Sequence, residues 1–195
     1  MKLKICLMGW LCLFFQAKSH GQTNSKSLEI GDKMPDAKIT NIMNWKHETA
    51  RLSDFKGKVV ILDFWNTYCA SCIAGFPKLD SLQRRFGGKL QVLLVNKANE
   101  HEKERNIKIV IDRMKAWSDN GFILPVVYHD EVLSGYFDFR AVPFTVMVGP
   151  DGTIAAIPDK SEITAENVAK LLAGEKLKFK NRAVSKTPAP RKAAL

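Results

Sequence analysis

The run Val59-Val-Ile-Leu-Asp-Phe-Trp-Asn-Thr-Tyr-Cys-Ala-Ser-Cys72 decides how the rest of the 195-residue chain is read. Its first seven residues are apolar except Asp63, and they are bounded by Lys56-Gly57-Lys58 and Asn66-Thr67. That is the pattern of a strand buried on both faces. A helix is predicted to follow over about 70–86, with Cys69 at its start. Unsatisfied N–H groups and a positive dipole end favour thiolate over thiol there, so Cys69 is the expected attacking nucleophile. Cys72, three positions on, lies on the same helix face, within disulfide reach but one turn deeper, as a resolving thiol requires. An ionised carboxylate inside an apolar strand is costly, so Asp63 must have a raised pKa or a partner. Poised near neutral pH, it can take the proton of Cys72 when that thiol attacks a mixed disulfide. A structural acid at a strand end is the alternative. Pro77 is expected to kink the helix or to break it.

Outward from this run, 90–95 reads as a second buried strand, and 102–117 as a helix with an apolar stripe at Ile107, Val110, Ile111, Met114 and Trp117. A strand over 125–128, a short helix over 131–137, a strand over 143–149, the turn Gly149-Pro-Asp-Gly152, a strand over 153–157 and a helix over 162–173 complete the series. The fold class this implies is α/β, a mixed central β-sheet with helices on both faces. Length and composition fit one domain, and no repeat or heptad seam is present.

The two ends carry the charge. Met1-Lys-Leu-Lys4 precedes the apolar run 5–15, ICLMGWLCLFF, and small residues follow at Ala17, Ser19 and Gly21. This reads as a signal peptide cleaved after Gly21, with Ser19 as the alternative site. The run is shorter than the roughly 20 residues of a spanning helix; an uncleaved anchor is the competing reading. A lipoprotein signal is disfavoured by Trp10 ahead of Cys12. Loss of Lys2, Lys4 and Lys18 lowers the net charge from +10 to +7, of which the tail 175–195 holds +6. The expected organisation is therefore a leader over 1–21, a domain over 22–174, and a basic, solvated tail over 175–195. The body is nearly neutral and has no basic stripe, which argues against nucleic acid.

Without the leader only Cys69 and Cys72 remain of the four cysteines. A metal site would need two more ligands, and His47, His101 and His129 are scattered, so no metal is expected. A staple across so short a loop would stabilise little. A redox dithiol is the leading reading.

Asp63-Phe-Trp65, Cys69-x-x-Cys72, Pro77 and Arg140-Ala-Val-Pro143 together resemble the thioredoxin superfamily. The longer string is similar to the exported TlpA/ResA-like, AhpC/TSA-type redoxins. It comprises Gly31, Met34-Pro-Asp36, Leu52-Ser-Asp-Phe-Lys-Gly-Lys58, Phe64 to Cys72 and Gly149-Pro-Asp-Gly152. The resemblance spans about 31–173 and implies a thioredoxin fold with an N-terminal β-hairpin over 37–52. It also implies a cis Pro143 against the disulfide, where base rates alone favour trans. Carried over by residue, Cys69 is nucleophile, Cys72 resolver and Asp63 proton acceptor. Val142 and Pro143 form the edge that pairs with substrate backbone, with Trp65 and Tyr68 beside the dithiol as further substrate-binding residues. Tyr68 stands where the family carries tryptophan, and Ala70-Ser71 lacks the usual proline, so the potential is tuned differently. Phe144, between Pro143 and Thr145, is expected to alter the substrate groove.

The function these readings imply is a periplasmic or secreted thiol-disulfide oxidoreductase that reduces substrate protein disulfides. It needs no bound cofactor beyond the Cys69–Cys72 disulfide. Expected partners are disulfide-containing proteins, apocytochrome c among them, and a membrane thiol reductase as electron donor. A thiol peroxidase is the first alternative, although Leu62 and Asn66 occupy the Pro and Thr positions of the Pro-x-x-x-Thr-x-x-Cys pattern around Cys69. A non-catalytic binding module on the same fold is the second.

Overall fold

Residues 27–179 are described by a computed structural model; the expected leader and the tail from position 180 onward lie outside the described residues. Along the chain come β1 (Lys38–Ile39), β2 (Ile42–Met43), β3 (Ala50–Arg51), β4 (Val59–Trp65), α1 (Ala70–Ile73), α2 (Phe76–Phe86) and β5 (Leu90–Lys97). They are followed by α3 (Glu104–Trp117), β6 (Val126–Asp130), α4 (Val132–Gly135), β7 (Phe144–Val148), β8 (Ile154–Ala156) and α5 (Ala165–Leu172). The main sheet has the order β2-β6-β5-β4-β7-β8. β4, β5 and β6 are parallel, whereas β2, β7 and β8 run antiparallel to their neighbours.

All seven residues of β4 are buried because both faces of the sheet are covered. Successive side chains alternate between faces, so Val59, Ile61 and Trp65 join one core while Val60, Leu62 and Phe64 join the other. The first core is filled from α2 by Leu79 and Leu82, from α3 by Ile107 and Ile111, and from α5 by Val168 and Leu171. The second is closed by Leu133 of α4, by Phe137, and by Ile39 and Phe55 of the N-terminal segment. Each such side chain contributes about 1.5–3 kcal/mol on burial, and this is the force that fixes the sheet between its layers.

Three details differ from expectation. β1 and β3 pair as a hairpin, Lys38 opposite Arg51. β2 leaves that pair and adds to the sheet edge, Ile42 opposite Val127, because the segment buries Ile42 as well as Ile39 in the second core. The long helix predicted over 70–86 is two helices separated at Ala74 and Gly75, with Pro77 in the first turn of α2. Proline there lacks only an N–H that a helix start would leave unpaired anyway. Trp117 does not close the α3 stripe; it is 76% exposed. It is the last residue of α3, and the chain turns away through Ser118 and Gly121, whose N–H bonds back to the Ser118 carbonyl at 2.9 Å. Among the described residues, no helix is long and apolar enough to cross a membrane.

Candidate active site

The carboxyl end of β4 runs into a turn that carries the two cysteines. Asn66 shapes it: its side-chain Oδ1 accepts the N–H of Tyr68 at 3.1 Å, and its carbonyl accepts that of Cys69 at 3.1 Å. Cys69 and Cys72 are joined as a disulfide. Cys72 is fully buried and Cys69 is partly exposed. The N–H of Cys72 donates to Cys69 Sγ at 3.2 Å, and Ser71 Oγ lies 3.5 Å from the same sulfur. After reduction, donors aimed at Cys69 Sγ stabilise a thiolate there. Because α1 is a single turn, this effect comes from local N–H and O–H groups and not from the dipole of a long helix.

Asp63 shares the Ile61–Trp65 face of β4 and is fully buried. In the antiparallel register it lies opposite Thr145 of β7, whose hydroxyl donates to Oδ1 at 2.7 Å. Oδ2 has no partner. Burial pushes the carboxyl up to about 6, against the Thr145 hydrogen bond and the positive charge of Lys160, both of which lower it. Asp63 can therefore change protonation near neutral pH.

Behind the turn, Glu102 is 3% exposed and accepts the N–H and the hydroxyl of Thr67 at 2.9 and 3.0 Å. Its other oxygen accepts Asn96 Nδ2 at 3.0 Å. This buried carboxylate ties the residue two positions before Cys69 to β5. On the far side, Lys160 Nζ donates to the carbonyls of Ser71 and Cys72. The sequence reading missed Glu102, Asn96, Thr145 and Lys160. The available signal was weak: Thr145 is the one polar residue in β7, much as Asp63 is in β4, while Glu102 and Lys160 lie in polar loops that look like any surface.

The Val142–Pro143 bond is cis, as the resemblance implied and against the base rate. Both residues are half-buried, and Val142 packs against both cores. Phe144 does not enter the groove. It is 4% exposed and stacks on Phe139 at 4.7 Å in the second core, because β-strand alternation turns it away from the face that Thr145 shares with Asp63. Tyr68 is 71% exposed, and its hydroxyl donates to the His101 carbonyl at 3.3 Å. The substrate-facing place expected of Trp65 is corrected: at 1% exposure it offers an incoming chain no surface. Its ring meets Phe76 edge-on at 5.1 Å, in the same core as Cys72. Among the described residues, no three His, Cys, Asp or Glu side chains are grouped to hold a metal ion.

Comparison with known proteins agrees with this arrangement. The chain is 30% identical to the thiol-disulfide oxidoreductase ResA of Bacillus subtilis over 156 residues, 78% of this chain and 77% of that one. It is 26% identical to the thioredoxin-like protein YneN of the same organism over 139 residues, 70% and 76% of the two chains. The thioredoxin domain of a thiol-disulfide oxidoreductase from Bacteroides vulgatus superposes with a TM-score of 0.59. At 23% identity it covers 75% of this chain and 99% of its own, which shows the thioredoxin fold. Residues 30–157 match the AhpC/TSA family as a whole. With a cysteine pair of oxidoreductase spacing on a fold of this kind, the chain belongs to the AhpC/TSA family and is a thiol-disulfide oxidoreductase.

Proposed function

We propose that the protein acts outside the cytoplasm, in the periplasm or secreted, as a reductant of protein disulfides. One observation carries the reading: a partly exposed Cys69 bonded to a buried Cys72 on the same sheet face as a buried, titratable Asp63. The leader pattern of residues 1–21 supports the location. In the first step Cys69 thiolate attacks a substrate disulfide, forming a mixed disulfide and releasing one substrate thiolate, which takes a proton from solvent. In the second, Cys72 gives its proton to Asp63 and its thiolate attacks Cys69 Sγ; the bond from Cys69 to the substrate breaks, the second substrate sulfur leaves as a thiolate that takes up the proton held by Asp63, and the Cys69–Cys72 disulfide forms. Two electrons pass from the protein thiols to the substrate disulfide, and its two sulfurs take up one proton from solvent and one by way of Asp63, so no bound cofactor takes part. By the resemblance to the redoxins, Val142, Pro143 and the exposed Tyr68 border the approach to Cys69. A membrane thiol reductase restores the dithiol, and apocytochrome c is one client of the class that fits.

The test is a redox titration of the mature chain together with trapping. A Cys69–Cys72 potential near about −270 mV supports a reductant, and one near about −120 mV would make the protein an oxidant. Cys72→Ser is expected to accumulate mixed disulfides through Cys69, and Cys69→Ser to abolish turnover. Turnover that survives Cys69→Ser would overturn the mechanism.

A further inference from the structure

The loop from β5 to α3 grips the dithiol turn at two consecutive residues. From beneath, Glu102 is 3% exposed, and one of its carboxyl oxygens accepts both the N–H and the hydroxyl of Thr67, at 2.9 and 3.0 Å. From outside, the Tyr68 hydroxyl donates to the His101 carbonyl at 3.3 Å. Cys69 comes next, and its N–H closes the same turn on the Asn66 carbonyl. The gripping loop is itself anchored. Asn99 Oδ1 accepts the N–H groups of His101 and Glu102 at 2.9 and 3.1 Å, and the N–H of Ala98 bonds to the Asp130 carbonyl at the end of β6 at 2.9 Å. The second oxygen of Glu102 accepts Asn96 Nδ2 at 3.0 Å. Asn96 is fully buried and stands in register with Trp65, the last residue of β4. All three donors are neutral, so what holds the buried carboxyl is a set of directed hydrogen bonds.

We infer that Glu102 is a positioning residue of the exchange reaction: by fixing Thr67 and the turn that follows, it keeps reduced Cys69 where Cys72 can close the disulfide, and so makes the dithiol the stronger reductant. The inference rests on the reading of the protein as a reductant. Its physical basis is effective concentration. Two thiols set within reach of each other lose little freedom on joining, so closure is favoured and the dithiol gives up its electrons more readily. Cys72 is fixed by burial in the first core, whereas Cys69 is partly exposed and stands just ahead of α1. Its place therefore depends on the turn that Glu102 holds. In the oxidised protein the Cys69–Cys72 bond keeps this geometry; after reduction noncovalent contacts keep it, the tether on Thr67 among them. A residue that merely supported the fold would stabilise both redox forms alike. Equal changes cancel around the cycle that joins the two forms to their unfolded chains, and the potential would not move.

The test is the Cys69–Cys72 potential of the mature chain in dithiothreitol redox buffers, read by alkylation of free thiols. Relative to the parent, Glu102→Ala is expected to lower the equilibrium constant for disulfide closure about tenfold, which makes the potential about 30 mV less negative. Denaturant titration should show the oxidised variant losing more stability than the reduced one, because the disulfide keeps the turn from relaxing. Glu102→Gln retains an oxygen for Thr67 and places an amide opposite Asn96, whose unpartnered Oδ1 can turn to accept it; closure should stay within about threefold of the parent. Equal loss of stability in the two forms with the potential unmoved would reduce Glu102 to a fold support and overturn the proposal. A Gln variant displaced as far as the Ala variant would assign the effect to charge and not to the tether, and would overturn it as well. Should Glu102→Ala not fold by circular dichroism, Thr67→Val removes the hydroxyl contact alone and is expected to weaken closure about threefold; an unmoved potential there would overturn the proposal in the same way. A parent potential near about −120 mV would end the reductant reading, yet the displacement of each variant from the parent would still decide the role of Glu102, so the two failures are distinct.

Discussion

The two faces of β4 come from one run of seven residues and carry opposite burdens. Toward the second core, Val60, Leu62 and Phe64 pack among apolar side chains. Phe64 sits 4.9 Å from Phe139, 5.7 Å from Phe144 and 5.8 Å from Phe137 between ring centroids. Toward the first core the same alternation sets Asp63 between Ile61 and Trp65, opposite Thr145. Among the described residues the buried side-chain atoms without a partner are Asp63 Oδ2, Trp65 Nε1 and Asn96 Oδ1. Asp63 and Trp65 belong to β4, and Asn96 is in register with Trp65. One face is arranged for cohesion, whereas the other sacrifices cohesion at its carboxyl end to hold polar groups, a titratable carboxyl among them, ahead of the dithiol turn. The protein thus separates what keeps it folded from what makes it react by the width of a single strand.

The sharpest way to break this contrast is to hollow the apolar face. Phe64→Ala should cost about 3–5 kcal/mol of stability by denaturant titration, yet leave the pH midpoint of disulfide resolution where it was. A shifted midpoint would mean the faces are not independent.

The reactive face should respond with the opposite sign. The folded value for Asp63, about 6, lies above the ordinary 3.8, so ionising it opposes folding. The penalty is absent below 3.8, where both states are protonated. It grows from there to about 6 as the unfolded chain ionises first, and it is full above that value. Asp63→Asn is therefore expected to stabilise the protein by about 2–3 kcal/mol at pH 8 and by almost nothing at pH 3.5. Thermal unfolding at the two pH values checks this, and a destabilised variant at pH 8 would contradict the assigned cost. The smallest effect is expected outside both cores: Trp117→Ala should stay within about 0.5 kcal/mol of the parent, since a side chain that exposed loses little packing.

How much of this was legible in the sequence depends on the range of the interaction involved. β4 was readable because seven apolar residues bounded by polar ones have few other uses, and the cysteine spacing required no partner from elsewhere to be recognised. Asp63 was visible as an anomaly within its own strand. Pro77 was ambiguous between a kink and a break, because the outcome turned on the Gly75 N–H and on an amine arriving from residue 160. Trp117 carried the correct helical period but fell at the end of the helix, and periodicity does not record where the supporting layer stops. Glu102 had no local mark at all; it matters because Thr67 and Asn96 converge on it from two strands' ends.

By itself the sequence determined the strand, the closely spaced cysteine pair, and the single acid placed among apolar residues, since these follow from alternation and spacing within about 15 residues. The tertiary structure alone decided which groups surround that acid and that turn. Thr145 lies 82 positions from Asp63, and Lys160 lies 88 from Cys72. The energy of a buried charge depends on every dipole and charge the fold brings within a few ångströms, however far apart they stand in the chain.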